Sequence, residues 1–498
     1  MQIDFDPYAQ LGIASSASSD DVKAAYRRAA RRLHPDANKI HPGAGLQFQD
    51  ITAAYELLMD AGKRQQYDSQ AGSLRAAEDH FFTFRVTTSK RTLMPLAEPQ
   101  VMYLLAEVFP DVRAVNHSEK RESRVNLTLV LDRSNSMNGV RLEKVKAAAH
   151  QIIDKLNQDD ILSVVIFNDR AEVIIDAAPV KDKAALKARI SMMSAFGSTE
   201  MYQGLVNGIE QNRKYLAPKL VNHIIVVTDG YTYGDHERSV NLAKSIAHEG
   251  ITISTMGLGQ EWNDVFLDEL ATATGGHTTY INSPNTVVRF LNDQVRSLAN
   301  VFAERMMLCI APDPDIRLES AFKLAPSPQP LSIEQALIPV GGLQFNRNIS
   351  VLFQLEIPAN PAIGFRSLAR LTATGDILNN KNQKYSAIND MSIEVTDAYT
   401  ADTPPTAILD ALGKLTLYRM QERAHEAIEN GDIKEATRRL EKLATRLFEL
   451  GEGSLAQQAQ SEAQQVAYTN ALSQKGRKTL KYTTRFLLST PDVQADAE

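Results

Sequence analysis

A chain of 498 residues exceeds what one hydrophobic core usually organises, so three or four domains are expected. The formal net charge of −6 leaves no basic excess to neutralise phosphates, which argues against nucleic acid as a partner. One cysteine, Cys309, excludes an intrachain disulfide and a thiolate zinc ribbon, and its place in the apolar run Met306-Met307-Leu308-Cys309-Ile310 predicts a buried small hydrophobe. The N-terminus MQIDFDPYAQ has no basic stretch leading into an apolar one, and no run is long enough to span a bilayer. A cytoplasmic protein without membrane contact is therefore expected.

Near the N-terminus, Ser18 and Asp21 form a capping-box pattern, and Val22, Tyr26, Ala29 and Leu33 recur as one helical face. Lys23, Arg27 and Arg31 lie on another face, with Arg28 and Arg32 beside them. His34-Pro35-Asp36 stops this helix at the proline, and a second helix begins near Gly45 with Phe48, Ile51, Tyr55 and Leu58 as its apolar side. Residues 71–80 read as a short polar linker. Strand-like patches FFTFRVTTS and VMYLLAEVF follow within 81–124.

The next stretch, VNLTLVLDRSNS, is a strand expected to be buried on both faces that ends in Asp132, Ser134 and Ser136 at spacing two. That spacing aims three oxygen-bearing side chains at one point, the kind of shell a hard cation such as Mg²⁺ accepts. Thr199, in the loop Gly197-Ser198-Thr199, offers another hydroxyl. Asp229 ends a second apolar strand over 223–228, where open α/β sheets place their ligands. Helices are expected near 142–156, 184–193, 201–212, 236–248 and 263–274, with strands at 162–167, 173–175, 251–258 and 277–281; this alternation predicts a doubly wound, mainly parallel α/β sheet over 125–303.

Residues 304–396 change to proline-punctuated strands, read as a β-sandwich in which 81–124 also takes part, with the α/β domain inserted between the two pieces. From 403 to 485 the pattern becomes a helical bundle, with helices over 408–429, from about Ile433 to Leu450, and over 455–473. The patch Lys475-Gly476-Arg477-Lys478 reads as a solvated loop, and 486–498 as a disordered tail.

Two stretches carry a family resemblance. DPYAQLGI, YRRAARRLHPD and FQDITAAYELLMDAGKRQQYD make residues 1–70 resemble a J-domain, an all-α module. The resemblance implies that His34, Pro35 and Asp36 contact a DnaK-type chaperone and trigger its ATP hydrolysis. Lys23, Arg27, Arg28, Arg31 and Arg32 would dock on its acidic surface. No CxxC repeat or long Gly/Phe-rich segment follows, so the chain looks like a specialised J-protein whose other domain selects where the chaperone acts.

Residues 125–303 resemble the von Willebrand factor type A domain with its metal-ion-dependent adhesion site. That implies a Rossmann-like fold, Mg²⁺ (or Mn²⁺) held by Asp132, Ser134, Ser136, Thr199 and Asp229, and an open position for the acidic side chain of a protein client. With two anionic ligands among five, the cation would stay incompletely neutralised. The sequence therefore predicts a non-enzymatic co-chaperone. Its rivals are a metal-dependent interaction scaffold without chaperone activity and, last, a Mg²⁺-dependent hydrolase prompted by Asp235-His236-Glu237. Those three residues read better as the charged first turn of a helix, and His223 and His277 as satisfied histidines at strands.

Overall fold

The structure, a computed structural model, describes residues 7, 11, 18–33, 42–64, 67, 81–111, 123–217, 220–232, 234–281, 283, 286–378, 384–398 and 403–488; the side chains of 28, 31–33, 42–47, 49, 50, 414 and 486–488 lie outside that description. The first helix, α1 (Ser19–Leu33), opens on a reciprocal cap. The Ser18 hydroxyl accepts the Asp21 N–H at 3.2 Å, and the Ser18 N–H donates back to the Asp21 carboxylate at 3.0 Å. Val22, Ala25 and Ala29 are buried against Ile51, Ala54 and Leu58 of α2 (Pro42–Met59), and Tyr26 stacks on Tyr55 with centroids 4.2 Å apart. This second helix starts three residues before Gly45, with proline in its first position, where a missing N–H costs nothing. The His34-Pro35-Asp36 turn and the linker 71–80 lie outside the described residues.

Strands β1 (Phe82–Thr88), β2 (Thr92–Leu93) and β3 (Gln100–Pro110) precede the central α/β domain. That domain runs β4 (Val125–Asp132), α3 (Val140–Lys155), β5 (Ile161–Phe167), β6 (Ala171–Pro179), α4 (Lys183–Ser191), α5 (Met201–Arg213), β7 (Val221–Thr228), α6 (His236–Ile246), β8 (Thr252–Leu258), α7 (Asp264–Thr272), β9 (Thr278–Ile281) and α8 (Val287–Ala299). Its sheet has the order β6-β5-β4-β7-β8-β9, parallel except for the β6 edge. Every residue of β4, β5 and β7 is buried, because helices cover both faces. The edge strand β6 is longer than the 173–175 segment read from sequence. Helix α8 was not anticipated, although Val287, Leu291, Val295 and Leu298 form its buried stripe.

The chain then enters β10 (Val301–Pro312), β11 (Arg317–Ala325), β12 (Gln329–Leu331), β13 (Leu337–Gln344), β14 (Ile349–Ile357), β15 (Gly364–Ile377) and β16 (Lys384–Val395). Two five-stranded sheets, β1-β3-β14-β11-β12 and β13-β10-β15-β16-β2, enclose one apolar core. Strand β3 pairs with β14 from Val108↔Ile349 to Gln100↔Ile357, so a single sheet joins strands that precede and follow the α/β domain in sequence. Because β10 starts at Val301, a boundary placed between 303 and 304 falls inside a strand. Entry and exit of the inserted domain are tied by the Ser123 N–H on Ala299 O at 3.1 Å. Alternation along β10 buries Met306, Leu308 and Ile310 and leaves Cys309 half-buried on the opposite face, a correction to the fully buried thiol expected from the apolar run.

Four helices complete the described chain: α9 (Thr406–Glu429), α10 (Ile433–Glu449), α11 (Gly453–Thr469) and α12 (Gln474–Leu488). Ile408, Leu415 and Tyr418 of α9 pack on Leu105, Phe322 and Leu352, the outer face of one sandwich sheet. The basic patch at 475–478 is not a solvated loop but the first turn of α12, which docks on the α/β domain. Lys478 is 0% exposed, its ammonium donates to Gln260 O and to Trp262 O at 2.6 Å, and it lies 4.5 Å from the Trp262 ring centroid. One turn on, Lys481 donates to Asp264 at 2.7 Å and Arg485 grips Asp268 with two bonds of 2.9 and 2.8 Å. Residues 486–488 continue this helix, and the rest of the expected disordered tail lies outside the described residues.

The joint between sandwich and α/β domain carries buried ionisable groups. Lys323 Nζ reaches Gly275 O at 3.4 Å and Val340 O at 3.3 Å. Burial pushes the Glu304 carboxyl up to about 8, against the Asn222 backbone N–H and Arg305, which favour its charged form. A folded-state pKa above the unfolded value of 4.5 means that the folded chain holds a proton the unfolded chain releases. That contribution is complete below 4.5 and lost as pH rises toward 8. Glu304→Gln should therefore gain on the wild type as pH rises through that window, with a difference slope approaching about 1.4 kcal/mol per pH unit in urea unfolding. Parallel curves for the two proteins would refute the assignment.

Candidate functional site

The strand order places β4 beside β7 at the point where the sheet's connections diverge, and the crevice outside the strand ends there is where such sheets bind ligands. Asp132 is the last residue of β4. Its Oδ1 accepts the Ser134 N–H at 2.8 Å and its Oδ2 accepts the Thr228 hydroxyl at 2.6 Å, so the carboxylate is locked in the turn. Burial pushes its pKa up to about 6, while the bonds from Thr228 and Ser134 pull the other way. A short 3₁₀ turn (Asn135–Met137), anchored by buried Met137, carries Ser136 to the exposed lip.

The Ser134 and Ser136 hydroxyls share a hydrogen bond of 3.0 Å, and Ser136 donates to Asp229 Oδ1 at 2.6 Å. Two backbone bonds, Asn135 N–H to Gly197 O at 3.0 Å and Phe196 N–H to Arg133 O at 2.9 Å, staple this turn to the loop that bears Thr199. Gly197 has φ +81°, and a Cβ there would stand 2.5 Å from the Asp169 carboxylate, so only glycine fits. Gly230 marks the convergence on the other side: a Cβ on it would meet Thr199 Oγ1 at 3.2 Å and Ser136 Oγ at 3.8 Å. Asp132, Ser134, Ser136, Thr199 and Asp229 thus surround one mouth, with both carboxylates fully buried and Ser136 facing solvent.

Sequence reading missed two participants. Thr228 orients Asp132 from the end of the neighbouring strand, and its place just before Asp229 was an available signal. Arg141, in the first turn of α3, pairs with Asp229 Oδ2 and donates to Ser136 O at 3.2 Å; nothing in sequence separates it from other helical arginines. Asp235 has its own task. It accepts the Tyr202 N–H at 2.7 Å and so holds the start of α5, while His236 pairs with Glu269 at 3.0 Å on the surface. His223 is buried with Ser254 Oγ 3.1 Å away, and burial with the neighbouring His277 drives its pKa down to about 3. His277 is half-buried and hydrogen-bonds to the Gln294 side chain.

Of the basic residues on α1, Lys23 sits 3.5 Å from Asp20 and Arg27 is exposed; the side chains of Arg28, Arg31 and Arg32, and all of His34, Pro35 and Asp36, lie outside the described residues. Among the described residues, no three His, Cys, Asp or Glu side chains gather where they could hold a metal, so the donor set at this mouth is distinguished by its hydroxyls. No described helix is long and apolar enough to cross a membrane.

Sheet order, inserted topology and the hydroxyl-rich mouth define a multidomain protein built around a von Willebrand factor type A domain, and residues 126–294 match the family of that name. Residues 6–68 match the DnaJ domain family and residues 406–490 the family described as Sll0103-like, C-terminal alpha-helical domain. The chain therefore carries an N-terminal DnaJ domain, a von Willebrand factor type A domain and a C-terminal helical domain.

It is similar to uncharacterized protein sll0103 of Synechocystis sp., at 26% identity over 397 residues, covering 77% of this chain and 93% of that protein. It is also similar to chaperone protein DnaJ of Roseobacter denitrificans, at 52% identity over 63 residues, which are 13% of this chain and 16% of that one. The fold is shared with a solved von Willebrand factor type A protein from Catenulispora acidiphila at 16% identity, with a TM-score of 0.65 over 83% of this chain and 97% of that one.

Proposed function

We propose that the protein is a non-enzymatic, specialised J-domain co-chaperone of the cytoplasm. Its N-terminal module recruits a DnaK-type chaperone and stimulates its ATP hydrolysis through His34, Pro35 and Asp36, steered by Lys23, Arg27, Arg28, Arg31 and Arg32. Its central domain grips a protein client through a divalent cation, Mg²⁺ or Mn²⁺. The observation that carries this reading is the single mouth shared by Asp132, Ser134, Ser136, Thr199 and Asp229. The donor set fits a hard cation: three hydroxyls and two buried carboxylates supply oxygen alone, and the exposed lip at Ser136 leaves room for an incoming acidic side chain. When bound, the cation would supply a Lewis-acidic point charge for that carboxylate. The chain's own part is to hold Asp132 through Thr228 and to staple the Ser136 turn to the Thr199 loop.

Both halves are open to test. Steady-state ATP turnover by a purified DnaK-type chaperone should rise several-fold with the wild-type chain and stay near basal with His34→Gln; equal stimulation by the two would remove the J-domain role. A client captured on the immobilised full chain in Mg²⁺ should elute with EDTA and fail to rebind Asp132→Ala. Retention in EDTA would remove the metal bridge.

A further inference from the structure

The arginine beside the mouth has a geometry that bears on how strongly the site takes a cation. Arg141 follows the Ser136 turn by five residues, and its guanidinium addresses two of the mouth's oxygens at once. Nη1 pairs with Asp229 Oδ2, the carboxylate oxygen opposite the one that accepts from Ser136, and also donates to Ser136 O at 3.2 Å. The Asp229 side chain is fully buried while that of Arg141 is 33% exposed, so the arginine is the member of the pair with freedom to swing outward.

A loop from the far side backs the guanidinium. Gly259 has φ +73°, and a Cβ on it would stand 3.2 Å from Arg141 Nη2, so the loop lies directly against the guanidinium. The Gly259 carbonyl accepts the Trp262 indole N–H at 3.0 Å, and Lys478 of α12 donates to Gln260 O and Trp262 O. Arg141 thus rests on a loop fastened to the C-terminal helical domain.

We propose that Arg141 is an internal competitor for the divalent cation, a positioning residue that offsets the charge of Asp229 and so keeps metal affinity low. The inference rests on the metal reading above. A fixed positive charge at a carboxylate ligand opposes the arrival of a second cation, and the opposition is strong where one partner is buried. With both cations in place the mouth carries surplus positive charge, which favours an acidic side chain from outside.

Calorimetric titration of the full chain with MgCl₂ and MnCl₂ tests this through affinity alone. Arg141→Met and Arg141→Gln remove the charge and should bind either ion about tenfold tighter than the wild type. Arg141→Lys keeps the charge and should stay within about threefold of it. A merely structural role predicts the opposite sign, with both neutral variants binding more weakly. Neutral variants that match or fall below a wild type that itself binds would overturn the inference and leave the metal reading standing. No saturable heat from the wild type or from either neutral variant would bring down both.

Discussion

Asp268→Ala should cost about 3–5 kcal/mol and release the C-terminal helix from the α/β domain, because it strips the counter-charge from buried Arg485 and Lys481. Burial alone would raise the Asp268 carboxyl, but Arg485 and Lys481 overrule it and hold it well below the usual carboxylate range. Since the folded pKa is depressed, this stabilisation is present above the ordinary Asp value of 3.8 and lost as pH falls below it. The chain's one tryptophan, Trp262, is fully buried with the Tyr482 ring centroid 5.6 Å away, so its fluorescence reports the docking directly. In urea, the variant should show an early Trp262 transition, together with tryptic cleavage among Arg477, Lys478, Lys481 and Arg485. The double variant Asp268→Leu with Arg485→Met should recover most of the loss, since a packed apolar pair often matches a buried ion pair. A single variant that unfolds with the wild type would show that the contact contributes nothing.

Asp132→Asn should abolish metal-induced stabilisation while leaving the metal-free fold close to wild type. The amide oxygen still accepts the Ser134 N–H, and the amide NH₂ donates to the Thr228 hydroxyl in reversal of the present bond, so the turn survives, while half of the anionic charge at the mouth disappears. For the wild type, a cation present at about one hundred times its dissociation constant adds about 2.7 kcal/mol by mass action. Thermal unfolding in EDTA and in millimolar Mg²⁺ measures both quantities on one sample. A variant stabilised by Mg²⁺ as much as the wild type would move the cation away from Asp132.

Local patterns in the chain specified the elements that local physics controls. The Ser18 and Asp21 cap was readable because its donors and acceptors lie within one helical turn. The strand ending at Asp132 was readable because an unbroken apolar run has to be covered on both faces. Cys309 departs from its expected burial for a related reason: an apolar run does not mean uniform burial, because one residue's shift along a strand exchanges the two faces of the sheet.

What the sequence determined by itself, then, is the set of modules and the oxygen-bearing side chains, since helix caps, strand runs and strand-end carboxylates are written in neighbouring residues. Tertiary structure decided the rest. Asp132 and Asp229 share a mouth because β4 and β7 lie side by side, and the sandwich closes because β3 finds β14 across the whole inserted domain. The basic stripe of α12 looks like any solvated face until Asp264 and Asp268, more than two hundred positions earlier, are brought against it. A lone charge carries no record of its partner: whether a lysine or arginine is wetted or buried depends on which opposite charge the fold delivers to it.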